Sequence, residues 1–482
     1  MTAEHTIVPG IPVILTFTAG DTPNIWASLI GLDNAIVKLA SDDLSVLDTY
    51  VPSERETDPP NIPLGLTGAY SLVNADGRFM IARSNFVSFF EDADAADPRS
   101  GIALAGRTVL PDSLLCGTAD VVAGMAMTYD GTLVLATDRG NVVAAPLNAS
   151  GTGLDLDAAS VVSINDAAVC DDPAAPFEQV SNNLAVDEEG GVYVVSSAAM
   201  YRFDWAAGSL SQTWRAEYVA EGNEAPIRLG PGSGSTPSLA GTGSDADKFV
   251  VITDGQQLMN LVFMWRDEIP EGWEPIAPGK DPRIACEVPV DFGDASATTS
   301  SSEQSVLVRG YAAVVVNNLL SNPTIVEEPL VQNLISALEG GQADKQPYGV
   351  HRIDWDPAAR TCVTRWTNGN LSIPNGIPSM GAQTGLMYGI GRRDGAWGVQ
   401  AIDFETGADA AWWPTPADCS DADRAGLGPF AALPAVVSAL DADPQYCENS
   451  FYAATTVGPD GVIYTGTIGQ VSRYIPSEVT GG

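Results

Sequence analysis

Histidine, basic side chains and long apolar runs are scarce in this sequence, and each scarcity excludes a class of protein. His5 and His351 are the only histidines among 482 residues, which excludes a histidine-rich metal site and a Ser-His-Asp triad. The 61 acidic residues outnumber the 23 lysines and arginines, and the formal net charge is −38. That balance argues against nucleic acid and anionic membrane surfaces as partners. No apolar run approaches the roughly 18 residues of a membrane span.

Cysteine is also rare, and its spacing excludes two further kinds of site. The six cysteines form no CxxC pair and no two are neighbours, so neither a metal cluster nor a redox motif is expected. Sparse cysteines in a large acidic chain suit an oxidising, salty medium, and we expect a secreted or periplasmic protein with disulfides. Reduced core cysteines are the alternative. Pro9 and Pro12 interrupt the N-terminal apolar stretch and no basic region precedes it, so this stretch is not a signal peptide as it stands.

Familiar catalytic motifs are missing as well. The sequence contains no GxSxG elbow, Walker loop or dinucleotide-binding fingerprint. An enzyme built on this chain would therefore depend on carboxylate, Tyr, Arg or Lys side chains, or on a hard metal ion.

Short β-rich runs make up most of what is present. Between Ser181 and Tyr218 the runs LAVD, GVYVVSS, AMYRFDW and SQTWRAEY are separated by turn residues, a pattern typical of a four-stranded antiparallel meander. The unit recurs with a period of roughly 45–60 residues, which favours a β-propeller over a sandwich. In four units an acidic residue and a Gly precede the second run, where Gly is expected to supply a positive φ. These turns are Asp76-Gly77, Asp130-Gly131, Glu189-Gly190 and Asp460-Gly461.

The number of units predicts the architecture. We expect one all-β domain over residues 1–482, a single propeller of four-stranded antiparallel blades. Eight units are counted, and seven blades are the alternative because the first unit lacks a clear inner strand. The last unit ends at Pro476 with only three strands, and an unpaired edge would leave the ring open. Residues 11–19 are therefore predicted to supply its outer strand, and deletion of residues 1–19 is expected to lower the melting temperature sharply.

Three turn-and-strand segments resemble a known family. AIDFETGADAAWW, from Ala401 to Trp413, is similar to the tryptophan-docking repeat of quinoprotein alcohol dehydrogenase-like propellers, and RFDWAAGSLSQTW and RIDWDPAARTCVTRW are looser versions. The quinone-dependent dehydrogenases of that family carry an adjacent-cysteine pair that is absent here, which argues against pyrroloquinoline quinone as a cofactor. The resemblance implies turn-shaping roles for Asp204, Asp354 and Asp403 and docking between blades for Trp214, Trp366 and Trp412 or Trp413.

The place of each cysteine in the repeating unit predicts the disulfides. We expect Cys116–Cys170 between loops that precede the first strands of adjacent blades, Cys419–Cys447 within one loop, and Cys286–Cys362 between outer strands of successive blades. Free thiols at these positions would contradict the secreted assignment.

Polar residues cluster at one predicted mouth of the ring. In a four-stranded blade, the loop before the first strand and the loop after the second open on the same face, beside the channel. The mouth is therefore the expected site for a small-molecule ligand or substrate. Alternatively, Asp138 and Asp254 only form turns, and the asparagines only cap loop backbone. The predicted binding residues are Asn182, Asn183, Asp254, Asn317, Asn318 and Arg392.

Glu303 and Glu448 are the predicted catalytic residues, because both precede inner strands beside the channel. If they lie close together, like-charge repulsion should raise the pKa of one of them and give an acid and a base. If Ca²⁺ lies between them, Asn183 and Asn449 would complete the oxygen shell around the two carboxylates. A structural arginine as the partner of each carboxylate is the third interpretation. No other cofactor is expected.

Two long insertions are predicted on the mouth face. Residues 319–346 carry apolar side chains at helical spacing with Gly340-Gly341 as a stop, and this helix would form a lid or pack on a neighbouring blade. Residues 414–447 form a second long mouth-side loop. The apolar positions of the predicted helix are Ile325, Val326, Leu330, Leu334, Ile335 and Leu338.

Two functional classes are consistent with this pattern. The first is a secreted β-propeller enzyme that acts on a small organic substrate through mouth carboxylates, as a hydrolase, lyase or isomerase. The second is a non-catalytic propeller that binds a ligand or a protein. A small molecule or Ca²⁺ at the axis would favour the enzyme, and arginine-paired carboxylates in the channel would favour the scaffold. The elaborate loops favour the enzyme.

Overall fold

Eight four-stranded antiparallel sheets, one for each sequence unit, form the blades of a β-propeller. The computed structural model describes residues 1–20, 23–31, 34–52, 68–172, 174–415, 419–458 and 461–476. The eight-bladed prediction is therefore confirmed, and the inner strand that the first unit seemed to lack is Ile11–Phe17. Within the described ranges, no helix is long and apolar enough to cross a membrane.

The strands of each blade follow one another from the axis to the perimeter, except in blade 8. Blades 1 to 4 consist of Ile11–Phe17, Asn24–Ile30, Ile36–Ala40, Val46–Tyr50; Ser71–Val73, Phe79–Arg83, Phe86–Asp92, Ile102–Val109; Val122–Met127, Leu133–Thr137, Asn141–Ala145, Ser160–Ser163; and Ala185–Val186, Gly191–Val195, Ala199–Ala206, Ser209–Glu217. Blades 5 to 8 consist of Ser238–Ala240, Phe249–Thr253, Asn260–Trp265, Ile284–Pro289; Leu307–Arg309, Ala312–Val316, Val350–Asp356, Thr361–Asn368; Ser379–Gly381, Leu386–Arg393, Ala396–Asp403, Asp409–Pro414; and Thr456–Val457, Ile463–Thr467, Gln470–Ile475, Thr2–Ile7.

Helices occur only in the connections between strands of the described chain. The α-helices are α1 (Ala167–Asp171), α2 (Pro329–Glu339), α3 (Asp421–Ala425) and α4 (Pro434–Ala442). Short 3₁₀ turns cover Asp112–Leu114, Leu156–Ala158, Gly428–Ala432 and Tyr446–Glu448.

The second strands of the blades are buried on both faces, because each blade is packed between two neighbours. Leu133–Thr137, Phe249–Thr253 and Ala312–Val316 are buried along their whole length. This burial explains why these runs are continuously apolar rather than alternating.

The turns before such strands have the predicted geometry, although Asp460 lies outside the described residues. Positive φ values occur at Gly77, Gly131, Gly190 and Gly461.

The N-terminus closes the ring, but not through the residues that were predicted. Thr2–Ile7 pairs antiparallel with Gln470–Ile475 and forms the outer strand of blade 8. Residues 11–19 do not play this role, since Ile11–Phe17 pairs with Asn24–Ile30 as the inner strand of blade 1. The physical reason is burial, because the apolar run fills the interior position while the polar TAEHTI is mostly exposed at the perimeter.

All three predicted disulfides are present, and no described cysteine is free. Cys116–Cys170 joins the loops before blades 3 and 4, and Cys286–Cys362 joins the outer strands of blades 5 and 6. Cys419–Cys447 closes the second insertion on itself. The disulfides therefore tie connections and perimeter strands, which the blade-to-blade apolar packing holds less firmly.

Tryptophans on outer strands dock against the next blade, as the family resemblance implied. Trp214 of blade 4 donates a hydrogen bond to the Arg266 carbonyl of blade 5 at 3.0 Å. Trp366 of blade 6 donates to the Phe404 carbonyl of blade 7 at 2.9 Å. In both cases the indole satisfies its N–H while its ring is buried between two blades.

Of the two tryptophans at the end of the third repeat, Trp413 is the one that docks. It packs with Ile463 and Tyr474 of blade 8. Trp412 lies instead against Arg393 of its own blade, with the guanidinium 5.2 Å from the ring centre. Successive side chains of a strand point to opposite faces, so only one of the two neighbours can reach blade 8.

The three aspartates of these repeats have two different roles. Asp403 accepts a hydrogen bond from the backbone of its own turn, as predicted. The prediction is wrong for Asp204 and Asp354, which bind Arg202 and Arg352 at 2.7 Å. Residues two apart in a strand share a face, so the carboxylate can orient the guanidinium. Each guanidinium then donates to the same carbonyl of the next blade that the docked tryptophan binds.

Candidate functional site

A cavity of about 190 Å³ lies at the axis, at the mouth where the first strands begin. Its described lining residues come from every blade except the third, and most of them precede or begin an inner strand. The wall is largely apolar, with side chains such as Val13, Ile14 and Ile377. Polar groups enter it from the loops before blades 2, 4, 5, 6 and 8, which agrees with the topology predicted for the mouth.

The helix predicted in the first insertion is α2, and it ends before Gly340 as expected. Its buried face includes Leu334, Ile335 and Leu338. The prediction is wrong for Ile325 and Val326, which both precede the helix, and Ile325 is 69 % exposed. The spacing of apolar residues therefore located the helix but placed its start too early.

Helix α2 packs at the mouth beside the axial cavity, against residues from several blades rather than one. Its apolar face packs with helix α4 of the second insertion and with Ala69, which lines the cavity. Ala337 packs near Tyr452, another lining residue. Asn375 and Asn449 donate hydrogen bonds to the Ala337 carbonyl at 2.7 and 2.9 Å, and thus satisfy a carbonyl at the end of the helix. Helices α2 and α4 together form what we call the helical cover.

Glu303 is buried in the cavity wall and has a cationic partner. Its Oε1 lies 2.8 Å from Arg228 Nη1, and its Oε2 accepts the Leu229 N–H at 2.9 Å. Burial raises the pKa of Glu303, while Arg228 and the Leu229 N–H oppose that shift. Neither Glu303 Oε1 nor Arg228 Nη1 has an aligned hydrogen bond to any described residue. Glu303 Oε1 can therefore still accept a hydrogen bond from a ligand, whereas Arg228 is not among the described residues of the cavity wall.

The backbone of Gly234 approaches this carboxylate closely. A Cβ on Gly234 would lie 2.5 Å from Glu303 Oε1 and 2.3 Å from the Ser302 carbonyl oxygen, so no larger residue fits without a shift. Arg228 holds the loop that carries this glycine by donating to the Gly232 carbonyl. The same arginine thus orders the loop and neutralises the carboxylate.

Two tyrosines line the same cavity. The Tyr452 hydroxyl is buried without a hydrogen-bond partner in the described part of the chain, and burial together with the Glu303 carboxylate raises the pKa of Tyr452. Burial also raises the pKa of Tyr70, which is hydrogen-bonded to Thr236 and to the Asn183 backbone. Both groups are therefore neutral phenols at neutral pH. Tyr452 can donate one hydrogen bond to a ligand and accept another.

Two of the six predicted binding residues, Asn182 and Asn183, line the cavity. Asn182 donates to the Ser233 carbonyl at 2.8 Å, and Asn183 accepts the Met125 N–H at 2.7 Å. These bonds cross from blade 4 to the neighbouring units on either side. The two amides are therefore held in place, and they contribute to the scaffold as well as to the cavity wall.

Asp254, Asn317, Asn318 and Arg392 are not among the described residues that line the cavity. Asp254 accepts the Asn260 N–H at 2.8 Å and forms a turn, and Asn317 donates to the Tyr348 carbonyl at 2.8 Å. Asn318 accepts the Glu303 N–H at 2.7 Å and so positions that residue. Turn-forming and ligand-binding residues are of the same types, so the sequence could not separate them.

Arg392 joins the two insertions instead of facing the channel. It donates to the Gly341 carbonyl at 2.9 Å and pairs with Asp443 at 3.1 Å, between the end of helix α2 and the end of helix α4. Asp443 also accepts the Trp397 indole N–H at 2.9 Å. The role of Arg392 is therefore to anchor the helical cover to blade 7.

Glu448 occupies the same place in its blade as Glu303 but has different surroundings. It is buried, yet it does not belong to the described wall of the cavity. It accepts the Tyr474 hydroxyl at 3.3 Å, and burial raises the pKa of Glu448 against the effects of His5 and of a hydrogen bond to Thr415. These partners belong to the region between blades 7 and 8. The two predicted carboxylates thus have separate partners.

The four ligands predicted for Ca²⁺ do not all line one cavity. Glu303 and Asn183 belong to the described wall, whereas Glu448 and Asn449 do not. The side-chain oxygens of Asn183 and Asn449 already accept backbone N–H groups. In the described ranges, no three or more His, Cys, Asp or Glu side chains come together to hold a metal ion. The oxygen shell that Ca²⁺ needs is therefore not assembled at these residues.

Comparison with known proteins places this geometry in a family. No model of a known protein family matches the chain. An uncharacterized protein of Archaeoglobus fulgidus is 38% identical over 473 residues, which covers 98% of this chain and 81% of the archaeal protein. The chain belongs to the family of that archaeal protein. The match spans all eight blades, so the family shares the propeller described above.

Solved structures resemble this family member in fold alone. The Dos1 propeller has a TM-score of 0.56 at 9% identity and covers 98% of this chain and 93% of its own. The quinohemoprotein alcohol dehydrogenase ADHIIG of Pseudomonas putida HK5 has a TM-score of 0.53 at 10% identity, covering 99% of this chain and 77% of its own. The second match confirms the fold-level resemblance to quinoprotein alcohol dehydrogenase-like propellers.

Sequence reasoning missed two residues of the axial site of this protein, Arg228 and Tyr452. Arg228 directly precedes LGPGSGSTP, and such a density of glycine marks a loop that another group approaches closely. That signal could have identified the loop, although not its partner Glu303. Tyr452 lies in a loop after the second insertion, and nothing in the neighbouring residues distinguishes it from other loop tyrosines.

A second pair of acids lies on the mouth face, in blade 3. Asp138 accepts the Val121 N–H at 2.9 Å, and Asp120 accepts the Cys116 N–H at 2.6 Å. The two carboxyl groups are hydrogen-bonded to each other, and burial followed by this contact raises the pKa of Asp138 to about 7. Blade 3 contributes no described residue to the axial cavity. The pair is therefore separate from the candidate site.

Proposed function

We propose that the axial cavity binds one small organic molecule and that Glu303 is the main polar group that contacts it. The observation that carries this proposal is that the Tyr452 hydroxyl lies buried in the wall without a hydrogen-bond partner in the described chain, and that Glu303 Oε1, in the same wall, has only its ion pair with Arg228. Buried polar atoms are nearly always hydrogen-bonded, and an unmet one costs about 1–3 kcal/mol. A ligand, or water in its absence, would satisfy both.

The size of the cavity limits the ligand. A volume of about 190 Å³ slightly exceeds the roughly 150 Å³ that holds a benzene molecule. It is smaller than the roughly 300–1,000 Å³ of sites for drug-sized ligands. The proposed ligand is therefore a molecule of about benzene size or slightly larger.

The proposal is tested by replacing Glu303 with Gln, which keeps the shape and removes the charge. We expect a fragment library screened by ligand-observed NMR to give hits on the wild type that lose affinity about tenfold or more in Glu303→Gln. Glu448→Gln is the matched variant, because it changes a buried carboxylate outside the described cavity wall. Equal losses in both variants would indicate a general effect of removing a buried carboxylate and would contradict a specific role of Glu303. Unchanged affinity in Glu303→Gln would contradict the proposal.

A second candidate is catalysis in the same cavity, as a hydrolase, lyase or isomerase. It is favoured by a carboxylate whose Oε2 is held by the Leu229 N–H while Oε1 is left to accept a proton. The arginine partner favours simple binding, since it stabilises the ionised form. Incubation of each hit with the protein separates the two candidate functions. Conversion of a hit that slows about a hundredfold in Glu303→Gln would show catalysis. Recovery of every hit unchanged would support binding without catalysis.

We also propose that the protein works outside the cytoplasm, in the periplasm or as a secreted protein. The three disulfides support this location, because such bonds persist in oxidising compartments. Peptide mapping of native material without reductant tests it, and free thiols at the six cysteines would contradict it.

A further inference from the structure

We infer that the ligand of the axial cavity is an uncharged molecule with at least one hydroxyl group, and that the Glu303–Arg228 pair sets this choice. The inference rests on the proposed function and adds the chemical class of the ligand.

The charges at the cavity cancel. Glu303 is the one charged residue in the described wall, and Arg228 lies 2.8 Å from it with both side chains buried, 2 % and 9 % exposed. Arginine stays protonated in proteins, so its buried charge requires the ionised carboxylate beside it. An anionic or cationic ligand would then be buried without a counter-charge, which is strongly unfavourable. Neutral ligands avoid this cost.

The hydrogen-bonding groups at the wall require a donor on the ligand. An ionised carboxylate only accepts hydrogen bonds, so Glu303 Oε1 selects an O–H or N–H group. Tyr452 can bond to the oxygen of the same hydroxyl or of a neighbouring one. The remaining wall is mainly apolar and favours carbon atoms over further polar groups. A small alcohol or diol meets all three demands.

Two contacts restrain the carboxylate. The Leu229 N–H donates to Oε2 at 2.9 Å, and Arg228 lies 2.8 Å from Oε1. A fixed charge pair discriminates by charge more strongly than a mobile one, because neither group can turn toward solvent or toward the ligand.

The test changes the charge of the cavity by mutation and compares the binding of ligands that differ in charge. The probes are propane-1,2-diol, propionate and propylammonium, which have similar size and differ in charge, measured by NMR titration at one pH and ionic strength. We expect the wild type to bind the diol about tenfold more tightly than either ion. Glu303→Gln leaves Arg228 unpaired and should shift the preference to propionate. Arg228→Gln leaves Glu303 unpaired and should shift it to propylammonium.

The double variant Glu303→Gln with Arg228→Gln is the matched control. It is neutral like the wild type, so it should again prefer the diol. If Arg228→Gln does not fold, because its loop contact to Gly232 is lost, the shift toward propionate in Glu303→Gln still carries the test. A wild type that binds either ion as tightly as the diol would overturn the inference and leave the proposed function intact. Failure of all three probes to bind any of the four proteins would also overturn the inference, whereas the proposed function is overturned by the fragment screen if affinity is unchanged in Glu303→Gln.

Discussion

At the scale of single residues, the most unusual titrating group is the carboxyl pair of blade 3. Asp120 and Asp138 each accept a backbone N–H and also contact each other, so the loop geometry holds two acids together. Two carboxylates in contact cannot both ionise without repulsion, and the pair retains a proton at a pH where an ordinary carboxyl has lost it.

This pair predicts that stability falls as pH rises. The pKa of Asp138 is raised to about 7 in the folded protein from an ordinary value of 3.8. Between these values the folded state holds a proton that the unfolded state has released, so raising the pH favours unfolding. Asp138→Asn removes this titration and keeps an acceptor for the Val121 N–H. As the pH rises from 4 to 8, we expect the free energy of unfolding of the variant to increase relative to that of the wild type by on the order of 1–3 kcal/mol.

Chemical denaturation of both proteins across that pH range measures the effect. Asp157→Asn, which changes an exposed aspartate of the same blade, is the control and should show no such gain. A constant difference in free energy of unfolding between Asp138→Asn and the wild type at all pH values would contradict the shared proton.

The candidate site shows what sequence alone can reach at this scale. Glu303 was predicted from its place before an inner strand, because blade topology fixes which loops meet at the axis. The same argument applied to Glu448, which lies between two blades instead, since topology places a residue but not its side chain. Arg228 could not be paired with Glu303 in advance, because their contact joins two irregular loops from different blades.

At the scale of elements, the repeat itself made the fold predictable. Apolar runs separated by Gly turns and docking tryptophans marked eight units, and each disulfide followed from its position in the unit. The exception was the chain end, where two candidate strands follow each other within residues 1–19. The exposure of each position in the ring determines which of the two strands occupies it. The inner position needs an apolar strand and the perimeter tolerates a polar one, so TAEHTI closes the ring and IPVILTF lies inside it.

Two truncations of different length test the role of Thr2–Ile7 as the outer strand of blade 8. Deletion of residues 1–7 removes the six-residue ladder against Gln470–Ile475 and the contact of Glu4 with Arg473 at 2.5 Å. We expect this variant to fold with a melting temperature lowered by roughly 5–10 °C. Deletion of residues 1–19 also removes the inner strand of blade 1, so this larger truncation should abolish cooperative unfolding.

Glu4→Gln is the control for the truncation, because it removes the ion pair but keeps the strand. It should change the melting temperature by no more than about 2 °C, as expected for an ion pair whose acid is exposed. A protein lacking residues 1–7 that melts like the full chain would show that the strand does not close the ring.

At the scale of the whole molecule, the two signs of charge are distributed differently. Among the described residues, seven basic side chains are buried, including Lys38, Arg352 and Arg473, and so are eight of the far more numerous acidic ones. The buried cations connect neighbouring blades, as Lys38 does through Asp92 at 2.5 Å. Burial thus removes nearly equal numbers of the two signs, and the described surface keeps almost the whole excess of carboxylates.

That distribution predicts a protein stabilised by salt. Unscreened repulsion among surface carboxylates opposes the compact state, and the Debye length falls from about 14 Å in 0.05 M salt to about 3 Å in 1 M salt. We expect the melting temperature at pH 7 to rise by roughly 5–10 °C between 0.05 and 1 M potassium chloride. Replacing the exposed Asp94 and Asp97 of blade 2 with Asn should raise the melting temperature in low salt but not in high salt, because only unscreened repulsion is removed. Equal melting temperatures at both salt concentrations would mean that the acidic surface does not limit stability.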